Sequence, residues 1–119
     1  MATWDEAVQI AAGWPGVQHT TWYRTPALKV AGRGFARLRT EADGTLVVMC
    51  SLDEKTALLA TGDPAFSTTS HYDGHGAILL DLALVDLEQL REMLAEAWRS
   101  RAPRKLLDSF DPGGSDLSD

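Results

Sequence analysis

Hydrophobic residues recur at helical spacing in three parts of the chain. Thr3 followed by Glu6 forms a capping box, which predicts a first helix from about Trp4 to Ala12. A short second helix, capped by Ser51 or Asp53, ends at Gly62. A second capping box, Asp86 with Gln89, opens the longest helix, which Pro103 ends. The core-facing stripe predicted for that helix consists of Leu87, Leu90, Leu94, Ala97 and Trp98.

Between these helices, runs rich in β-branched and aromatic residues predict short strands. The predicted strands outside the basic segment described next cover residues 17–23, 45–50, 66–71 and 77–82. Strands joined by sequence-local connections form antiparallel sheets, so we expect an α+β fold with a central antiparallel sheet and helices packed on one face. A chain of 119 residues fits a single domain. We place that domain at residues 1–107 and expect residues 108–119, rich in Asp, Gly and Ser, to form a flexible acidic tail.

The segment from Arg24 to Thr40 predicts a β-hairpin, with Gly32, Arg33 and Gly34 as a three-residue loop. In this register Val30 lies opposite Ala36, and Leu28 lies opposite Leu38, which makes one face apolar. Side chains alternate across a strand, so Lys29 lies opposite Arg37 on the other face, with Arg39 two residues further along.

Charge is unevenly distributed along the chain. The net charge is −6, which argues against a protein that coats nucleic acid nonspecifically. Yet residues 24–40 contain cations and no acid, and so do residues 97–107. The second of these segments lies at a predicted helix C-terminus, where cations are favoured in any case.

The sequence also supports a prediction of the compartment in which the protein resides. The N-terminus has no basic, apolar leader, and the longest uncharged apolar run, residues 44–52, is too short to span a membrane. Cys50 is the only cysteine and lies in an apolar strand, so we expect a buried, inert thiol. We therefore expect a cytoplasmic protein without a membrane partner.

Two kinds of binding site are consistent with these residues. In the first, a basic surface binds the phosphates of DNA through a set of four cations. The plainer interpretation is that these cations are solvated and are neutralised by acids such as Glu41 or Asp43. These cations are Lys29, Arg33, Arg37 and Arg39. In the second, a cleft near Trp22, His71 and Tyr72 binds or sequesters a small molecule, since aromatic side chains suit a flat ligand.

The chain offers little for catalysis or metal binding. His71, Asp73 and His75 lie in a glycine-rich loop and fall short of the ligand set that zinc requires, so we expect neither a metal nor a cofactor. No nucleophile stands at recognisable spacing from an acid and a base, so we expect that the protein is not an enzyme.

Several segments in order resemble the MmcQ/YjbR family of small bacterial proteins. The similar segments are Pro15 to Val17, Pro26 to Leu38, His71 to Gly76, and Asp86 to Leu107. The resemblance implies a central antiparallel sheet, frataxin-like in outline, and the family's proposed "double wing" DNA-binding role. Arg33 stands where a lysine is common in the family's hairpin loop, which keeps the charge. Oligomeric state, ligand identity and DNA sequence preference stay open.

Overall fold

The computed structural model describes residues 2–22, 24–39, 44–69 and 74–110 of the protein. Its strands are β1 (Val17–Trp22), β2 (Thr25–Val30), β3 (Arg33–Leu38), β4 (Thr45–Met49), β5 (Phe66–Ser67) and β6 (Ala77–Asp81). Its helices are α1 (Trp4–Ala11), α2 (Leu52–Ala60), α3 (Leu87–Arg101) and α4 (Arg104–Ser109). The predicted tail from residue 111 onwards lies outside the described residues, and the predicted boundary at Leu107 falls inside α4.

The strands form one antiparallel sheet in the order β1-β2-β3-β4-β6-β5. Helices pack on one face, as predicted, and α3 lies across β3 and β4. The core between helices and sheet is built around Trp98, Phe35 and Leu94, all of which are fully buried. The indole Nε1 of Trp98 donates to the carbonyl of Pro15 at 3.2 Å, so this large side chain is buried with its polar atom satisfied.

The β2–β3 hairpin is confirmed, but its predicted register is wrong. The turn has two residues, Ala31 and Gly32, both with positive φ, and Val30 pairs with Arg33. A register shift then follows, because Leu28 pairs with Ala36 while Lys29 pairs with Gly34. Phe35 is therefore an extra residue in β3, a β-bulge. Lys29 lies diagonally to Arg37 rather than directly opposite it.

The two-residue turn by itself would move every side chain of β3 to the opposite face from the one predicted. The bulge adds one residue and so returns the side chains after it to the predicted face. Phe35 and Ala36 are both fully buried in the core, although successive residues of a regular strand face opposite sides. Arg37, opposite Ala27, therefore points away from the helices. Arg37 and Arg39 therefore lie on the predicted face of the sheet, although Arg37 pairs with Ala27 and not with Lys29.

Two details of the helices differ from the prediction. The side chain of Asp86 caps α3 by accepting from the backbone N–H of Gln89 at 2.8 Å, but the Gln89 amide donates to Asp63 Oδ2 at 3.3 Å. Leu87, placed in the core stripe by its spacing, is 48% exposed because it lies in the first turn of α3, at the margin of the core. Thr3 and Glu6 form the predicted capping box of α1.

Cys50 follows β4 and is buried. Burial, reinforced by the nearby Glu54 carboxylate and opposed by Lys55, raises the pKa of its thiol from 9.0 to about 11. The thiol is therefore protonated and shielded at neutral pH, which fits a packing role.

We expect native Cys50 to resist a thiol-specific reagent at about pH 8. A pKa rise of this size lowers the thiolate fraction about a hundredfold, and burial slows the reaction further. The rate of colour release from a disulfide reagent measures this, with the denatured protein as the control. Equal rates for native and denatured protein would show that the thiol is accessible.

Candidate nucleic-acid interface

The outer surface of β1, β2 and β3 faces away from the helices and carries several predicted site residues. Alternation from the core positions Leu28 and Ala36 places Lys29 and Arg37 on this surface. Arg39 lies two residues beyond Arg37, and Trp22 pairs with Thr25, which shares the face of Ala27 and Lys29. We call this surface, with Trp22, Lys29, Arg37 and Arg39, the basic face.

Trp22 lies across the sheet with its indole on the backbone of Gly34. A Cβ at Gly34 would stand 2.4, 2.4 and 2.7 Å from Cε3, Cζ3 and Cδ2 of the indole. Three consecutive ring carbons at nearly equal distance mean that the ring turns its flat side toward Gly34. The absence of a side chain at position 34 is therefore what lets the indole lie flat.

The cations of the basic face are half-buried. Lys29, Arg37 and Arg39 are each of intermediate exposure, and Arg37 Nη1 donates to the carbonyl of Leu38 at 3.2 Å. Ala27, between them on β2, is fully buried. Diagonal neighbours on a sheet are about 7–8 Å apart, so Lys29 and Arg37 together form a spaced pair of positive charges beside the indole.

Arg33 does not join this group. It pairs with Val30 next to the turn, and Val30 points into the core, so alternation directs Arg33 to the helix side. The side chain is exposed there. Of the four predicted phosphate-binding cations, the structure brings Lys29, Arg37 and Arg39 together and leaves Arg33 at the edge.

The second basic segment has a structural explanation. Arg99 forms an ion pair with Glu96, one turn earlier in α3. Arg101 Nε donates to the carbonyl of Gly34 at 3.1 Å. Arg101 thus ties the end of α3 to the bulged segment of β3, a role that its position at a helix C-terminus gave no reason to expect.

Gly34 is not among the site residues predicted from the sequence, although its position inside a strand is a signal that could have identified it. Glycine inside a strand often marks a bulge or the close approach of another group, and Gly34 has both.

Three carboxylates lie between α2 and α3, on the helix side of the sheet. The sequence from Val17 to Leu38 contains no Asp or Glu. A groove of about 350 Å³ between α2 and α3 is lined by Glu54, Glu92 and Glu96, and also by Arg99. Burial and the neighbouring Glu96 carboxylate raise the pKa of Glu54.

The structure describes only one of the three residues predicted to line the small-molecule cleft. Trp22 is on the basic face, whereas His71 and Tyr72 lie outside the described residues, as do Glu41 and Asp43. Two further cavities, of about 610 and 410 Å³, are lined by residues of α1, α3 and the end of α2, on the helix side of the sheet.

Metal ligands do not gather in the part of the chain that the structure describes, since no group of three or more His, Cys, Asp or Glu side chains there is suited to an ion. His75 contributes its carbonyl, which accepts from the buried Lys55 Nζ at 3.1 Å. None of the described helices is long and apolar enough to cross a membrane.

Comparisons with known proteins agree with this fold. A sequence model of the YjbR family matches residues 12–100. The chain is 33% identical over 125 residues to the uncharacterized protein Rv2570 of Mycobacterium tuberculosis and to the uncharacterized protein Mb2600 of Mycobacterium bovis, covering 92% of this chain and 96% of each relative. The crystal structure of Deinococcus radiodurans protein DR2400, described as domain DUF419, superposes with a TM-score of 0.74 at 16% identity, covering 100% of this chain and 96% of that one.

The fold and the surface together define a small α+β protein with one basic, tryptophan-bearing sheet face. The family match over most of the chain and the mycobacterial relatives show that it belongs to the YjbR family.

We expect Gly34→Ala to destabilise the protein, because the new Cβ forces the Trp22 indole to move. Inserting a methyl group into a packed site of this kind costs about 1–3 kcal/mol. Gly13→Ala is the matched control, since its Cβ meets nothing within 4 Å, and we expect a change within about 0.5 kcal/mol. Denaturant unfolding of both variants measures the difference. Equal stability would mean that Trp22 does not rest on Gly34.

Proposed function

We propose that the protein is a non-enzymatic DNA-binding protein that uses its basic face. The observation that carries the proposal is the grouping of Lys29, Arg37 and Arg39 around Trp22 on a sheet surface whose strands contain no acid. Cations of this kind neutralise phosphates and release counterions from the nucleic acid. Arginine adds the ability to bind a phosphate through two parallel hydrogen bonds.

The net charge of −6 does not weigh against this arrangement once the positions of the charges are considered. Electrostatic interactions are screened over about 8 Å at physiological ionic strength. Packed layers of secondary structure are about 10 Å apart, so acids on the outer sides of α2 and α3 act weakly at the basic face. The acids of these two helices therefore do little to oppose the binding of a polyanion at the basic face.

Binding through three phosphate contacts should be moderate and strongly dependent on salt. The logarithm of the association constant should fall with the logarithm of salt concentration with a slope between about −2 and −3.

We expect Arg37→Glu to weaken DNA binding at least about tenfold at low salt and to flatten this slope, because one contact is lost and a repulsive charge is introduced. Arg91→Glu makes the same charge change on the exposed side of α3 and should leave binding nearly unchanged. Fluorescence-anisotropy titrations of labelled single-stranded and duplex DNA measure both variants, with circular dichroism to confirm that they fold.

Two results would overturn the proposal. One is the absence of saturable binding even at low salt. The other is equal weakening by Arg37→Glu and Arg91→Glu, because net charge alone would then account for the effect.

A further inference from the structure

The shape of the basic face restricts the form of nucleic acid that fits it. The β2–β3 hairpin lies inside the sheet: β1 pairs along the whole of β2, and β4 pairs with the second half of β3. A two-stranded ribbon enters the major groove, which is about 12 Å wide, only when it projects from the protein. A hairpin flanked by β1 and β4 is part of a broad surface and does not project in this way.

Trp22 provides a chemical group that duplex DNA cannot use. Its indole lies flat on Gly34, with the plane of the ring parallel to the surface of the sheet. Bases in a duplex are already stacked on one another, whereas an unpaired base has a free π-face for an aromatic side chain. Trp22 is partly exposed, so part of the indole is within reach of a ligand.

Two cations of the basic face lie next to the indole of Trp22. Lys29 pairs directly with Gly34, the residue beneath the indole, and Arg37 pairs with Ala27 on the same face. A base over Trp22 therefore has positive charge close by for its own phosphate or the next one. Aromatic rings interleaved with cations along an open groove are the arrangement by which proteins bind single strands without sequence preference.

We infer that the ligand of the basic face is an unpaired polynucleotide strand, one of whose bases stacks on Trp22. The inference rests on the proposed function and narrows it from DNA in general to single strands, of DNA or RNA. A sheet platform with one aromatic group implies short contact with few nucleotides and little sequence preference.

The first test varies the ligand and leaves the protein intact. Anisotropy titrations compare a labelled single strand, a duplex of the same length, and an abasic single strand with the same number of phosphates. Loss of stacking on one base corresponds to roughly a 5- to 150-fold loss of affinity. We expect the base-bearing strand to bind at least about fivefold more tightly than both of the others.

The second test varies the aromatic group. Trp22→Leu should bring the affinity for the single strand down to that for the abasic strand, whereas Trp22→Phe should keep most of the difference. Trp4→Leu, at a half-buried tryptophan of α1, is the control and should bind as the unchanged protein does. If Trp22→Leu fails to fold, the ligand comparison still decides the question.

The outcomes separate the inference from the proposed function. Salt-sensitive binding that is equally tight for duplex, abasic and base-bearing strands, and is lost in Arg37→Glu, would overturn stacking and leave DNA binding in place. No binding of any probe at low salt would overturn both. Preference for unpaired DNA or for unpaired RNA of the same sequence supports the inference in either case and identifies the source of the strand.

Discussion

The bulge at Phe35 is the constraint on which both sides of the sheet depend. It puts Phe35 and Ala36 together into the core, where both are fully buried, and so turns Arg37 outward. Gly34, the preceding residue, is held from two directions, by the Trp22 indole on its Cα and by Arg101 on its carbonyl oxygen. A hydrogen bond from a charged donor contributes about 1.5–3 kcal/mol. Gly34 therefore links three features of the structure: the end of α3, the register of β3 and the position of the Trp22 indole.

Much of the fold could be predicted because its signals are local. Thr3 with Glu6 marks the start of α1, and the spacing of Leu90, Leu94 and Trp98 marks the buried side of α3, with no information from the rest of the chain. The facing of Lys29 and Arg37 was also predictable, because it depends on the apolar positions Leu28 and Ala36, which any register must bury.

The register of the hairpin could not be predicted from local signals. Gly32 and Gly34 allow either a three-residue loop or a two-residue turn at Ala31 and Gly32. The shorter turn places Ala31 at a φ of 50°, a conformation that costs a residue with a Cβ roughly 1–2 kcal/mol. Full burial of Phe35 returns a comparable amount, about 1.5–3 kcal/mol. Which of these two free energies is larger depends on how Phe35 packs in the folded core, and local sequence does not show this. The contact between Arg101 and Gly34 could not be predicted either, because the two residues are 67 positions apart in the chain.

For the proposed function, the net charge and the positions of the cations decide how a polyanion approaches the protein. A small protein with a net charge of −6 repels nucleic acid at long range in most orientations. Under the proposed function, attraction is expected when the face with Lys29, Arg37 and Arg39 is turned toward the strand, within about one screening length. An overall negative charge is in this way compatible with the proposed polyanion site on the surface where the indole of Trp22 lies.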